Sequence, residues 1–340
     1  MGFTIVSSAL GGFLTLILLG APATAQVAAD FYRGKTISIV VGATPGGGYD
    51  AYGRLLARFL GAHIPGAPKV IVQNMPGAGS LTSVLYLNTT APKDGTAMTI
   101  FNPGVMTDAI INPSRARVNF TAMTWVGSVT PDYRICYTWH ASGIKTWDDF
   151  KRPREVTLGA AGGQSSLAYN DVNMLHNLFG LNVRGILGYP GRSEVHLAIE
   201  RGELDGECGS ISGLPDNWLS GHKINVPVRM VDAAMPGVPA DVPYIGQFTK
   251  NDEERGILRA LTAANYLGRP FIVAKEVPAD RVKILRDGFN ATMKDKGFLD
   301  AAKKQELTVG PTTGEESEKR VRDLYDVSPE LAAKARAAIK

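Results

Sequence analysis

Short β-branched runs alternate with amphipathic stretches along this chain, and glycine-rich turns stand between them. Thr36–Val41 predicts a strand, Gly42 to Asp50 a turn, and the next residues a helix to about Gly61, with Leu55, Leu56, Phe59 and Leu60 on its core face. Asp50 is placed to cap that helix and to pair with Arg54. The unit then repeats. Val70–Asn74 predicts a strand, Met75–Ser80 a turn with Ser80 as N-cap, and Leu81, Val84, Leu85 and Leu87 the apolar side of a helix. Ala97–Phe101 leads through Asn102-Pro-Gly104 into a helix near Val105–Ile111. Strand, glycine turn and helix in this order is the grammar of parallel sheets with crossover helices. The three turns should therefore emerge at one sheet edge, where open parallel sheets receive ligands.

A second block follows Trp125–Val129. It predicts strands at Arg134–Thr138 and Val156–Leu158, a helix around Trp147–Phe150, and a small-residue run, Gly159–Ser166, opening a helix over Leu167–Phe179. Arg184–Gly191 then precedes a helix near Ser193–Arg201, and Leu204–Ser210 follows, so a second α/β domain is expected. Beyond Phe271–Val273, the segment Val277–Asp280 opens a helix carrying Val282, Ile284, Leu285 and Phe289. Ser328-Pro-Glu starts the last helix, with Pro at its first position.

Composition agrees with this reading. At roughly 150 residues per domain, 340 residues suggest two domains. The 38 Gly and 20 Pro make 58 of 340 residues, about 17% against an average near 12%, which favours many tight turns. Subtracting 32 acidic from 36 basic residues gives +4, without a basic stripe, which argues against a nucleic-acid partner.

The first 25 residues read as an address. Leu10–Leu19 is an apolar run, short for a spanning helix, and Ala23 and Ala25 supply the small residues for cleavage before Gln26. The usual positive n-region is missing, and no Cys stands at the cut to mark a lipoprotein. Export would bring Cys136 and Cys208 into an oxidising compartment, where they either bridge or remain two buried thiols.

The usual catalytic signatures are absent. The five histidines have no HxH or HExxH spacing, Gly209–Gly213 is offset from a GxSxG elbow, and neither nucleotide-binding glycine motif is complete. The expectation is no enzyme, no cofactor and no metal. What remains are turns rich in Gly, Ser and Thr at helix N-termini, where backbone N–H groups and the helix dipole suit a carboxylate without needing Arg or Lys. Each turn also reads as an ordinary connector. Asp50 is open between a cap and a cleft residue, Tyr49 and Tyr189 between stacking and packing, and Arg192 between a second carboxylate partner and a solvated helix start. Asp205 is expected to hold its own turn.

The residues that match a known pattern are Pro45-Gly-Gly-Gly48 with Asp50 and Arg54, Val72–Gly79, and Pro92-Lys-Asp-Gly95. Gly188-Tyr-Pro-Gly191 with Ala198, Glu200–Glu203 and Asp205, and Val277–Asp280, complete the match. On these, essentially the whole mature chain resembles the TctC or Bug family, the extracytoplasmic solute receptors of tripartite tricarboxylate transporters. The resemblance implies a type II periplasmic-binding-protein fold: two α/β domains with a hinge and a ligand cleft between them. It divides the chain into 1–25 as signal peptide, 26–128 plus 265–340 as a discontinuous domain 1, and 129–264 as domain 2. It further implies a periplasmic monomer that captures a small organic anion and delivers it to the membrane components of such a transporter. The alternatives are an enzyme acting on a carboxylate, or a receptor feeding a sensor. The implied ligand residues are Thr44, Gly46, Gly47, Gly48, Tyr49, Asp50, Gly77, Ala78, Gly79, Ser80, Asn102 and Gly104. Gln164, Ser165, Ser166, Tyr189 and Arg192 face them from domain 2. Gly188-Tyr-Pro-Gly in place of the commoner PYKG, Gly162–Ser166, and the two cysteines depart from the family pattern.

Overall fold

The computed structural model describes residues 1–2, 30–112, 118–161, 166–215 and 217–340. Residues 3–25 of the signal segment, Gln164 and Ser165 lie outside them.

Two mixed sheets organise the chain. The first comprises β1 (Thr36–Val41), β2 (Lys69–Asn74), β3 (Ala97–Ile100), β4 (Thr124–Ser128), β10 (Pro270–Val273) and β11 (Thr312–Thr313), in the order β11-β4-β10-β3-β1-β2. β2, β1 and β3 are parallel neighbours, so the three glycine turns do leave from one edge. The helices Gly48–Leu60, Leu81–Thr89 and Gly104–Ile111 follow those turns. The first packs Leu55, Leu56 and Leu60 into a core shared with Ile39, Val41, Phe271 and Phe289.

The second sheet contains β5 (Arg134–Trp139), β6 (Val156–Ala161), β7 (Val183–Tyr189), β8 (Gly206–Ser210) and β9 (Ile224–Arg229), in the order β7-β6-β8-β5-β9. The helix Leu167–Phe179 is capped by the Ser166 hydroxyl, which accepts from the Tyr169 N–H. Gly180 closes it in the left-handed conformation.

Several expectations are modified. Neither sheet is wholly parallel: β10 enters antiparallel between β3 and β4, and β5 lies antiparallel to both β8 and β9. The chain returns into the first sheet from the second, and a returning strand need not follow the βαβ direction. Gly159–Ala161 belong to β6 rather than to the turn, and Trp147–Lys151 form a 3-10 helix. The last helix, Pro329–Ala338, is capped by Ser328 as expected, but Ala335 and Ala338 join a core with Leu158, Val172 and Leu258 of the second sheet and its helices. The chain thus crosses between the sheets at 129–133, again before β10, and a third time at 326–328.

Cys136 and Cys208 face each other across β5 and β8 and form a disulfide with a sequence separation of 72 residues. Both are buried in the second lobe.

Candidate functional site

The first glycine turn is pinned by a carboxylate. Buried Asp50 accepts from the Gly46 N–H at 2.9 Å and Arg54 Nε at 2.8 Å through one oxygen, and from Asn74 Nδ2 at 2.8 Å through the other. Burial pushes its pKa up, but these donors outweigh burial and hold it below the ordinary carboxylate value. The pairing with Arg54 is therefore present, and both Asp50 oxygens are occupied in holding the turn. Gly46 takes φ +83°, which a side chain would resist, and Gly47 is the N-cap residue of Gly48–Leu60. Thr44 is exposed at the start of this turn.

Ser80 joins the three turns. It stands at the cap position before Leu81 but makes no capping hydrogen bond. Instead its buried hydroxyl donates to Gly42 O at 2.7 Å and accepts from the Asn102 N–H at 3.0 Å. Gly77, Ala78, Gly79 and Ser80 all have positive φ, and for Ala78 and Ser80 that conformation costs on the order of 1 kcal/mol each. The staple holds this strained turn against its neighbours. In the third turn Asn102 Oδ1 accepts from the Gly104 N–H at 2.9 Å. A Cβ on Gly104 would come within 3.0 Å of Leu167, so this turn abuts the start of the second-lobe helix where Ser166 lies.

On the second-lobe side, Arg192 is not a solvated helix start. Its Nε donates to both oxygens of Glu207 at 3.0 Å, and Tyr137 donates its hydroxyl to the same carboxylate. Tyr189 packs against a cluster that includes Val195 and Ile199. Asp205 accepts from the Thr157 N–H and from Arg154, and so holds its turn as expected.

The residues not anticipated are charged and buried. Arg134 bonds Asp171 through Nε at 3.0 Å and lies 3.5 Å from Asp132. Arg269 sits where the chain re-enters the first sheet. Its Nη1 donates to Gly268 O, its Nη2 donates to Ser212 Oγ of the second lobe at 3.1 Å, and its guanidinium lies over the Tyr49 ring at 4.6 Å. Burial pushes the Tyr49 phenol up, only partly opposed by Arg269. The sequence signal was Gly268-Arg-Pro270, an arginine directly before an apolar strand.

No family model matches the chain. Among curated proteins it is 24% identical over 289 residues, 83% of this chain and 77% of the other, to "UPF0065 protein in the TAR-I ttuE-ttuC' intergenic region" of Agrobacterium vitis. A TctC solute-binding protein from Polaromonas aligns with TM-score 0.68 and 18% identity, over 91% of this chain and 99% of that one. The periplasmic binding protein BugD aligns at 0.66 and 18%, over 90% and 98%. MatC from Rhodopseudomonas palustris, solved with bound malate, aligns at 0.64 and 16%, over 90% and 99%. The fold is that of the TctC and Bug periplasmic binding proteins, the family whose motifs the sequence resembles. Among the described residues no helix is long and apolar enough to cross a membrane.

Proposed function

We propose that the chain is a periplasmic receptor that captures a small organic anion between its two lobes and hands it to a tripartite tricarboxylate-type membrane carrier. The observation that carries this reading is the convergence of three glycine-bearing turns, stapled through Ser80, at the sheet edge that meets the second lobe. Turns that present backbone N–H groups at helix starts suit a carboxylate. The malate bound by a structural neighbour supports the same ligand class. On this reading the cradle is Thr44 to Asp50, Gly77 to Ser80 and Asn102 to Gly104, faced by Gln164–Ser166 and Tyr189–Arg192. The lobes are 26–128 with 265–340, and 129–264, except that the terminal helix Pro329–Ala338 packs on the second lobe, and residues 1–25 are removed on export.

Thermal-shift measurements on the mature protein with mono-, di- and tricarboxylates and aromatic acids test the reading. A ligand at 100 times its Kd stabilises by about 2.7 kcal/mol. If no organic anion moves the melting temperature, the receptor reading fails. Recovery of chemically altered ligand would instead favour an enzyme.

A further inference from the structure

We infer that Arg269 contributes a guanidinium to the ligand cleft, so that the carboxylate at the Gly46–Asp50 turn is held by charge as well as by backbone N–H groups. This rests on the receptor reading and deepens it: the ligand carries a full negative charge at that end, and a neutral amide of the same shape is rejected.

Three arginines stand near the junction of the lobes, Arg134 and Arg269 buried and Arg192 partly buried, and their pairing differs. Arg192 places Nε on Glu207, and Arg134 places Nε on Asp171, each at 3.0 Å. Arg269, whose relative exposure is 5%, has no carboxylate at hydrogen-bond distance among the described residues. Its closest acid is Asp132, 3.6 Å from Nη1, which Arg134 also approaches at 3.5 Å. Arg269 Nε is buried with no hydrogen-bond partner at all. The Nε edge is thus a buried donor without an acceptor, and a carboxylate is the group a guanidinium edge is shaped to receive.

The location of this cation argues for a ligand rather than a structural partner. A Cβ on Gly48 would lie 3.8 Å from Arg269 Nη2, at the N-terminus of Gly48–Leu60. Helix dipole and guanidinium therefore act at one point with the same sign. Tyr49 and Tyr52 lie at 4.6 and 5.4 Å from the guanidinium, and their rings position it. Ser212, reaching from the second lobe to Nη2, places the cation on the line along which the lobes approach.

The test uses the mature protein with malate, adipate and benzoate as probes, and malamide as the neutral control. Binding is read by calorimetry at low and high NaCl, with circular-dichroism melts of each unliganded variant. For the anion that binds, Arg269→Gln should weaken Kd at least about tenfold and flatten its salt dependence, and malamide should not compete. Arg269→Lys keeps the buried charge, loses the planar fork and is expected to weaken Kd a few-fold; it decides the matter if Arg269→Gln does not fold. Wild-type binding with unchanged Kd and salt dependence in a folded Arg269 variant overturns the inference and leaves the receptor reading intact. Absence of any anion binding to wild type removes the receptor reading, and the inference with it.

Discussion

The two walls that meet at the lobe junction are held by different forces. On the first-lobe side the turns are fixed by short-range hydrogen bonds to backbone: Ser80 to Gly42 and Asn102, Asp50 to Gly46, Asn102 to Gly104. On the second-lobe side the supports are ion pairs, Arg134 with Asp171, both buried, and partly exposed Arg192 with buried Glu207, and a disulfide between β5 and β8. The contrast teaches that one wall is a preformed backbone surface, whereas the other depends on charges whose partners are remote in sequence. Loss of a staple should loosen a turn. Loss of one ionic partner should cost far more, because it strands a charge in a dry interior.

Arg134→Ala is therefore expected to have the largest effect, about 3–5 kcal/mol of stability in denaturant titration, since Asp132 and Asp171 lose their shared cation. A loss below about 1 kcal/mol would make the two walls equivalent. Next comes the double variant Cys136→Ser with Cys208→Ser, expected to lose about 2–4 kcal/mol, the range for bridges closing long loops. Thiol titration of the denatured, unreduced wild type should find no reactive thiol among these two. Ser80→Ala should cost about 1–3 kcal/mol by leaving Gly42 O and the Asn102 N–H without their partner, with ligand affinity falling alongside.

The smallest effect is pH-dependent. The pKa of Asp50 is lowered in the fold, so its contribution is complete above the unfolded carboxylate value, near 4, and is lost as pH falls through the folded value. Asp50→Asn should differ from wild type by about 1 kcal/mol at neutral pH and converge with it in acid. Equal separation of the two melting curves at both pH values would exclude Asp50 as an ionised pin.

Local features were legible in the sequence. β1, β2 and β3, the glycine turns, the helices after them, and the Ser328-Pro start of the last helix are written in periodicity and turn chemistry within a dozen residues. What was not legible depends on distant partners. The direction of β10 is set by its insertion between β3 and β4, which four residues of uniformly apolar strand do not specify. Ser80 looked like a cap because Ser before a helix usually is one; its hydroxyl instead finds Gly42, 38 residues away. Arg269 meets Ser212 across 57 residues, and nothing local in Gly268-Arg-Pro270 identifies either Ser212 or Tyr49 as its neighbour.

The three crossings between the lobes have a kinematic consequence. Two bodies tied at two points can turn about the line joining them, whereas a third tie off that line removes the rotation unless it yields. The 129–133 and 265–269 segments bond to each other, Val129 N–H to Arg269 O and Arg269 N–H to Thr130 O, so they act as one ribbon and define an axis. The third tie ends in the helix Pro329–Ala338, fastened to the second lobe through Asn173 and Asn177. The same helix also bonds the first lobe, Arg336 Nε donating to Ile111 O, so on the receptor reading any opening of the lobes must strain or release this third tie as well as the 326–328 link, which lies outside any helix or strand.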